Sequence, residues 1–394
     1  MAALTVYHLI ILGSLLLVSA NVLANLATFD GLRAAEPPAD APLVSILVPA
    51  RNEERSIGVC LGSLLAQDYP NCEVLVLDDH SEDGTGAIVE RLIAAAARKN
   101  PRMHAALIRG QPLPEEWTGK NWACHQLAQA ARGQFLFFTD ADTQHAPGTV
   151  TAAVAYSLRN RAGLVSAWPR LVTGTLGEKL VVPVVVLIGF AFCPLWLQRW
   201  MQERPERARG HNVRGMGVAN GQFMFFKRET YEKIGGHAAV RSHVVEDVSL
   251  GREVAARIPE GERLFNCEAL QFSQVRMYRS FGETWDGFTK NMRAAFDDRS
   301  AVFWLFGFAQ CACFLGPFVA LFRTRPPILW IVVAEIGIIF AIRFLLAARL
   351  RTSWLGALLH PFGFLALMLI GLNSWWRSTG SGVVWKGRTY KPRI

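Results

Sequence analysis

The sequence lacks any charged side chain before Asp30, and it lacks a Cys-x-x-Cys pair. The long uncharged run Leu4–Phe29 predicts a transmembrane helix, and the missing basic residue at its start argues against a secretory signal peptide. The seven cysteines are odd in number and show no metal-ligand spacing. We therefore expect reduced thiols without a catalytic role, which is typical of a main domain in the cytosol.

Composition places the chain between two classes of protein. The 394 residues are 51% hydrophobic with a net charge of +9 and a mean hydropathy of +0.22. That is too apolar for an ordinary soluble protein and too charged for a purely membrane-embedded one. Basic residues lie beside apolar runs, which favours an anionic lipid bilayer as partner over nucleic acid; they are Arg33, Arg199, Arg323, Arg325, Arg349, Arg351 and Arg377. Because Arg33 follows the first apolar run, we expect a multi-pass protein of the plasma (cell inner) membrane whose main domain faces the cytosol.

Short apolar runs alternate with helical patterns after a Pro/Ala linker. The predicted strands are 43–48, 73–77 and 134–139, and the predicted helices are 57–67, 88–97 and 122–131. This alternation favours an α/β domain with a parallel sheet. We expect an N-terminal transmembrane helix over 1–30, a cytosolic domain over 43–300, C-terminal transmembrane helices over 301–376 and a basic tail over 377–394. The C-terminal helices are expected from three apolar segments, 301–322, 328–348 and 354–375.

Two apolar features leave alternatives open. Leu180–Leu197 is long enough to span a membrane, but a crossing would separate acidic motifs that must meet, and Pro183 and Pro194 interrupt it. We therefore expect a re-entrant or interfacial segment. Glu335 and Arg343 lie inside the second C-terminal segment. They indicate either a lipid-facing polar site, or else snorkelling or pairing with neighbouring helices, and the second interpretation is favoured.

Polar residues follow the predicted strands, where ligands of open α/β sheets bind. They form the motifs Val48-Pro49-Ala50-Arg51-Asn52-Glu53 and Leu77-Asp78-Asp79-His80-Ser81. A carboxylate at such a position accepts hydrogen bonds from a base edge or from ribose hydroxyls. Each motif alone is also consistent with a polar turn or a helix cap, with Ser81 or Asp83 as the capping residue.

Two acidic pairs lie further along the chain. Asp140 and Asp142 follow an apolar strand and, being two residues apart, face the same side of an extended backbone. Paired carboxylates suit Mg²⁺ or Mn²⁺, although a polar turn has the same composition. Glu246 and Asp247 interrupt an apolar stretch. They predict a catalytic carboxylate that acts as a general base, or else an acid at a helix start.

Taken in order, these motifs and Gly119-Lys120-Asn121-Trp122-Ala123 resemble family 2 glycosyltransferases of GT-A fold. The resemblance covers residues 43–300 and implies a mainly parallel twisted sheet flanked by helices. It implies a divalent metal on Asp142 with Asp140, and Asp247, beside Glu246, as the base that deprotonates the acceptor. It also implies that a set of residues contacts the nucleotide-sugar; they are Pro49, Ala50, Arg51, Glu53, Asp78, Asp79, Lys120 and Asp140.

Narrower resemblances concern the acceptor. Asn220-Gly221-Gln222 is similar to the acceptor-side loop of the family. Residues 276–280 resemble an element of ceramide glucosyltransferases and processive synthases, in which Arg276 and Arg279 would hold the leaving diphosphate. Ser280 stands where that element has Trp, which argues against a processive polysaccharide synthase. Residues 285–291 and 385–390 are similar to bacterial glycosyltransferases associated with carotenoids and hopanoids.

The predicted function is an inverting transfer from a nucleotide-sugar, expected to be a UDP-sugar, to a membrane lipid. The first rival is a sugar-phosphate nucleotidyltransferase, which would need a Gly-rich phosphate loop that Pro49–Glu53 does not provide. The others are a processive synthase and a non-enzymatic membrane scaffold with a degenerate transferase domain. Five motifs in the family's order argue against the scaffold.

Overall fold

The computed structural model of the chain describes residues 2–100, 104–296, 299–380 and 382–390. The chain divides into two compact units. The helical unit comprises Met1–Thr28, Leu171–Pro194 and Met277–Ile394, and the sheet unit comprises Phe29–Arg170 and Leu195–Arg276. These boundaries differ from the expected uninterrupted domain over 43–300, because residues 171–194 and those after Arg276 belong to the helical unit.

Strands and helices alternate along much of the sheet unit, whereas helices make up most of the helical unit. The strands are β1 (Val44–Ala50), β2 (Cys72–Asp78), β3 (His104–Arg109), β4 (Phe135–Phe138), β5 (Thr143–His145), β6 (Leu164–Trp168), β7 (Arg170–Leu171), β8 (Met224–Lys227), β9 (Leu264–Glu268), β10 (Ser273–Val275), β11 (Val383–Trp385) and β12 (Arg388–Tyr390). The helices are α1 (Ala2–Thr28), α2 (Ile57–Leu65), α3 (Thr85–Lys99), α4 (Gly119–Ala130), α5 (Thr149–Asn160), α6 (Leu176–Phe192), α7 (Leu195–Glu203), α8 (Arg228–Lys233), α9 (Gly236–Ala239), α10 (Glu246–Ala256), α11 (Phe281–Ala294), α12 (Ser300–Phe314), α13 (Gly316–Ala320), α14 (Ile328–Leu350), α15 (Trp354–Leu358) and α16 (His360–Thr379).

The main sheet of the sheet unit has the strand order β3-β2-β1-β4-β8-β6-β9. Strand β1 lies parallel between β2 and β4. Its alternate side chains enter two different cores, with Ile46 and Val48 in one and Leu47 in the other. Successive side chains of a strand point to opposite faces, so a strand covered on both faces requires the continuous apolar run that the sequence has here.

The parallel pairing brings the ends of β1, β2 and β4 to one edge of the sheet. Ala50 is opposite Asp78, and Leu47 is opposite Phe138. The predicted parallel arrangement is confirmed for these strands, while β8 runs antiparallel between β4 and β6. The turns that follow β1, β2 and β4 therefore share the carboxyl edge of the sheet, where the sequence motifs were expected to bind a ligand.

The helical unit contains the apolar helices. By length and composition, α1 and α14 are each able to cross a membrane. The expected segment 301–322 is divided into α12 and α13 before Pro317, and segment 354–375 is divided into α15 and α16. Within the described residues, one of the three expected C-terminal segments thus contains a helix that meets this criterion. The apolar run Leu180–Leu197 is interrupted at Cys193 and Pro194, between α6 and α7. These two helices are bent by 43° at the break, and they are long enough for one further membrane span only if they are taken together.

Buried polar groups of the helical unit pair with neighbouring helices. His8 Nδ1 of α1 lies 3.0 Å from Glu335 Oε2 of α14, and both side chains are fully buried. The Arg343 guanidinium donates to the carbonyl oxygens of Pro183 and Gly356. Because an unpaired charge inside an apolar helix bundle is costly, these contacts account for Glu335 and Arg343 within α14. The interpretation of Glu335 and Arg343 as partners of neighbouring helices is confirmed.

Glycine allows α15 to approach α6 closely. Pro183 has no N–H, so the carbonyl oxygen of Lys179, one turn earlier, lacks its partner within the helix. A Cβ atom built on Gly356 would overlap this oxygen. Small residues permit such backbone contact between apolar helices. The contact predicts that residue 356 tolerates no side chain.

We expect Gly356→Ala to destabilise the protein in detergent by about 1–3 kcal/mol, since overpacking at a closed contact forces the backbone apart. The measurement is the thermal unfolding midpoint of the purified full chain. Gly337→Ala is the matched control, because a Cβ at Gly337 in α14 meets nothing within 4 Å. Equal midpoints for the two variants would contradict the packing argument.

Candidate active site

The turns after β1 and β2 are bonded to each other at the carboxyl edge of the sheet. The Asp79 N–H donates to the Ala50 carbonyl at 2.8 Å. The Arg51 guanidinium donates to the carbonyl oxygens of Asp79 at 2.6 Å and His80 at 3.1 Å. Pro49 and Ala50, the last residues of β1, pair with Leu77 and Asp78. The two motifs predicted to contact the nucleotide are thus adjacent in space.

Asp78 is engaged by the protein itself. One carboxylate oxygen accepts from the Ser81 N–H at 3.0 Å, and the other lies 2.6 Å from Arg109 Nη1. Glu53 is in the neighbouring turn, where its N–H donates to Thr85 Oγ1 at 2.7 Å. Arg109 was not predicted, because β3 itself was not identified in the sequence. Its guanidinium places a positive charge beside the expected nucleotide site.

Lys120 connects two of the acidic motifs. It lies in the first turn of α4, whose N-cap is Thr118. Lys120 Nζ is 2.7 Å from Asp140 Oδ1 and 2.7 Å from Glu246 Oε1. Burial lowers the pKa of Lys120, but the two carboxylates outweigh it and raise that pKa well above its ordinary value. The ammonium group is therefore charged and neutralises part of the acidic cluster.

Asp247 is held by backbone N–H groups at the start of α10. Its Oδ2 accepts from the Gly221 N–H at 2.8 Å, and its Oδ1 accepts from the Val248 N–H at 2.8 Å. Burial and the nearby charge of Glu246 raise the pKa of Asp247 to about 6, although Lys120 and the two N–H groups oppose the shift. A carboxylate with this pKa is ionised at neutral pH and is a stronger base than an ordinary Asp.

The predicted acceptor-side loop contacts Asp247 through Gly221. A Cβ atom on Gly221 would lie 3.2 Å from Lys120 Nζ and 3.3 Å from Asp247 Oδ2, so a side chain would crowd both groups. The Asn220 side chain accepts from the Gln222 N–H at 3.1 Å and closes the loop. Lys120, Glu246, Asp247 and the loop are thus brought together by the fold.

Asn121 fixes the segment that leads to α10. Its Nδ2 lies 2.7 Å, 3.1 Å and 3.0 Å from the carbonyl oxygens of Val240, Arg241 and His243. The Thr118 N–H also donates to the Arg241 carbonyl at 2.8 Å. Asn121 is fully buried. Its role was not predicted, because nothing in the sequence links the Gly-Lys motif to residues more than a hundred positions later.

The remaining predicted residues are Asp142 and those of the segment 276–280. Thr143 Oγ1 lies 3.4 Å from Asp142 Oδ1. Among the described residues, no group of three or more His, Cys, Asp or Glu side chains is arranged to hold a metal ion. Arg276 ends the sheet unit, whereas Arg279 belongs to the helical unit, where its N–H donates to Glu283. Ser280 is the N-cap of α11 and accepts from the Glu283 N–H at 3.1 Å.

Comparison with known proteins finds a family whose model matches part of the chain. The model of the family "Glycosyl transferase family 2" matches residues 45–235. Residues 45–235 are a family 2 glycosyltransferase domain. The match contains the motifs at the ends of β1, β2 and β4 and the Gly-Lys motif, so the chain is a glycosyltransferase, as predicted.

Full-length relatives extend the comparison beyond the family domain. The 4,4'-diaponeurosporenoate glycosyltransferase of Staphylococcus aureus strain USA300 is 26% identical over 364 residues, which cover 88% of each chain. The protein of the same name from strain MRSA252 gives the same values. Among solved structures, the mannosyltransferase PcManGT from Pyrobaculum calidifontis in complex with GDP-Man and Mn²⁺ has a TM-score of 0.57 at 19% identity, covering 95% of this chain and 99% of that one. This likeness confirms the GT-A fold.

We expect Asp247→Asn to lower kcat by about 10²–10⁴-fold with nucleotide binding retained, because the amide does not accept a proton. The wild-type rate should fall as the pH drops below about 6, where Asp247 becomes protonated. Transfer rates measured across pH, with calorimetric nucleotide binding, check both expectations. Glu253→Gln is the control, since this carboxylate lies on the same helix but pairs with Arg214. Near-normal turnover by Asp247→Asn would contradict the assignment.

Proposed function

We propose that the protein transfers one or a few sugars from a nucleotide-sugar, with UDP-sugar as the expected donor, to a membrane lipid with inversion at the anomeric carbon. The observation that carries the proposal is Asp247, held by the Gly221 N–H within the cluster formed by Lys120, Asp140 and Glu246. This cluster adjoins the motifs of the family 2 domain. It offers a carboxylate base beside the motifs assigned to the donor.

The donor would bind along the carboxyl edge of the sheet. Residues of the turns after β1 and β2 are assigned to the nucleotide; they are Pro49, Ala50, Arg51, Glu53, Asp78 and Asp79. Lys120, and Arg276 from the resemblance, are assigned to the diphosphate. The ammonium of Lys120 is already oriented by two carboxylates, so it is available as a fixed positive charge near departing phosphate oxygens.

Asp247 would take the proton of the acceptor hydroxyl as the oxygen attacks the anomeric carbon. The C–O bond to the nucleoside diphosphate breaks in the same step, and the diphosphate leaves with the bonding electrons. A single displacement of this kind inverts the configuration. A hydroxyl acceptor requires the base, whereas a carboxylic acid is ionised at neutral pH without it. Dependence on Asp247 therefore distinguishes the two kinds of lipid head group.

Asp140 and Asp142 would hold Mg²⁺ or Mn²⁺ together with the donor diphosphate. Their carboxylate oxygens are hard ligands of the kind that both ions prefer. Since Asp140 Oδ1 already contacts Lys120, this pair offers few protein ligands and leaves positions for phosphate oxygens and water. When bound, the metal would supply positive charge that stabilises the departing diphosphate.

The apolar helices support a membrane lipid as the acceptor. Helices α1 and α14 of the helical unit are each long and apolar enough to span a membrane. The Staphylococcus aureus relatives, named for a carotenoid acid, match along most of their length. A terpenoid, glycerolipid or sphingolipid would carry the accepting group. We propose a multi-pass protein of the plasma membrane whose sheet unit faces the cytosol, where nucleotide-sugars are available.

Asp142→Ala should weaken both activity and its dependence on the divalent ion. Excess chelator should abolish transfer by the wild-type protein, and added Mg²⁺ or Mn²⁺ should restore it. The measurement is the release of nucleoside diphosphate over a metal titration. Full activity in excess chelator would remove the metal from the proposal.

Purified protein supplied with labelled UDP-sugar and native membranes should transfer the label to material that is soluble in organic solvent. Asp247→Asn serves as the matched negative control in the same membranes. Chromatography of the extract should show one or a few added sugars. Label that stays in the aqueous phase as long polysaccharide, soluble sugar or protein would contradict a lipid acceptor.

A further inference from the structure

A chain of buried hydrogen bonds passes beneath the candidate site in the sheet unit. His145 Nδ1 lies 2.8 Å from Ser273 Oγ, and His145 Nε2 lies 2.9 Å from Thr139 Oγ1. Thr139 Oγ1 in turn donates to the Gln222 carbonyl at 2.9 Å. The side chains of Thr139, His145 and Ser273 are each no more than 3% exposed. None of these residues was predicted from the sequence to act in the site except Gln222.

The donor and acceptor of each bond follow from the chemistry of the groups. A carbonyl oxygen only accepts, so the Thr139 hydroxyl proton points to Gln222. Thr139 Oγ1 must then accept from the N–H at Nε2 of His145. A neutral imidazole has one donor and one acceptor, so Nδ1 accepts from the Ser273 hydroxyl. The bonds therefore run in one direction, from Ser273 through His145 and Thr139 to Gln222.

The imidazole is held neutral by its surroundings. Its ring centroid lies 5.3 Å from that of Phe137 and 5.9 Å from that of Phe223. Burial lowers the pKa of His145 to about 3. The backbone N–H of His145 also donates to Ser63 Oγ at 3.0 Å, which fixes the strand that carries the ring. Ring and backbone are thus both constrained.

The chain of bonds joins three segments, and two of them carry the predicted residues Asp140, Asp142 and Gly221. Thr139 immediately precedes Asp140, and His145 lies in β5, just after Asp142. Gln222 follows Gly221, whose N–H holds Asp247. Ser273 lies opposite His145 in the antiparallel pair of β5 and β10. Among the described residues, His145 is therefore the one side chain that bonds to both Thr139 and Ser273.

We propose that His145 is a positioning residue that fixes the Asp140–Asp142 turn through Thr139, whose hydroxyl donates to the loop holding Asp247. The inference rests on the proposed function, since it assigns the donor side to the turn and the base to the loop. His145 touches neither substrate nor metal. Its effect is on the distance between the two halves of the site, and a misplacement of about 1 Å between reacting groups costs up to about 10²-fold in rate.

The test compares His145→Phe and His145→Gln in the purified full chain. Phenylalanine keeps a ring of similar size but removes both bonds, whereas glutamine retains a side-chain N–H donor for Thr139. Tyr156→Phe is the control, because it removes a buried hydrogen bond to Asp30 at 2.6 Å elsewhere in the same unit. UDP binding, kcat, and hydrogen exchange of residues 139–143 and 220–222 are measured for each variant.

His145→Phe should lower kcat by about 10–10²-fold while UDP binding changes little. Hydrogen exchange should accelerate in both segments, and His145→Gln should recover most of the rate. Any of three results for His145→Phe would overturn the proposal. They are a kcat equal to that of Tyr156→Phe, unchanged hydrogen exchange in both segments, and a loss of UDP binding in proportion to the loss of kcat. If wild-type protein transfers no sugar, the proposed function fails. The exchange comparison still decides whether His145 couples the two segments.

Discussion

The Lys120 ammonium is the interaction on which the candidate site depends. Asp140, Glu246 and Asp247 gather at one partly buried edge of the sheet, where repulsion between carboxylates favours protonation. Contacts of 2.7 Å from Lys120 to Asp140 and to Glu246 supply the compensating charge. Asp247 accepts from two backbone N–H groups, which together with Lys120 lower its pKa. Burial and the charge of Glu246 outweigh these contacts, so the pKa of Asp247 stays raised, which suits the role of base.

Much of the sheet edge was predictable because its physical causes are local. The run Val44–Ala50 is apolar because both faces of β1 are covered, and polar residues follow where the strand ends. The same reasoning located the turns after β2 and β4. The absence of charged side chains before Asp30 likewise predicted α1, and the resemblance of the motifs identified the family and the fold.

The contacts across the site were not predictable, because they join residues distant in sequence. Asn121 holds carbonyl groups near residue 241, and His145 reaches Ser273. Neither side chain is distinguished by spacing or composition. The division into two units was missed for a similar reason. Residues 171–194 belong to the helical unit, although they lie between two parts of the sheet unit in the sequence. A prediction that follows the order of the sequence therefore assigns one continuous domain here.

The helical unit uses polar groups for a different purpose. His8 with Glu335, and Arg343 with two carbonyl oxygens, link apolar helices to one another. Ser280 caps α11, so the position at which processive synthases carry Trp has a structural role here.

The anomeric configuration of the glycosylated product tests the central claim most directly. Asp247 as base for a single displacement requires that the bond to the acceptor form on the face opposite to the departing diphosphate. The measurement is the proton NMR coupling constant at the anomeric carbon of the purified lipid product, compared with that of the donor. An α-linked donor should give a β-linked product. A product that retains the donor configuration would contradict the proposed role of Asp247.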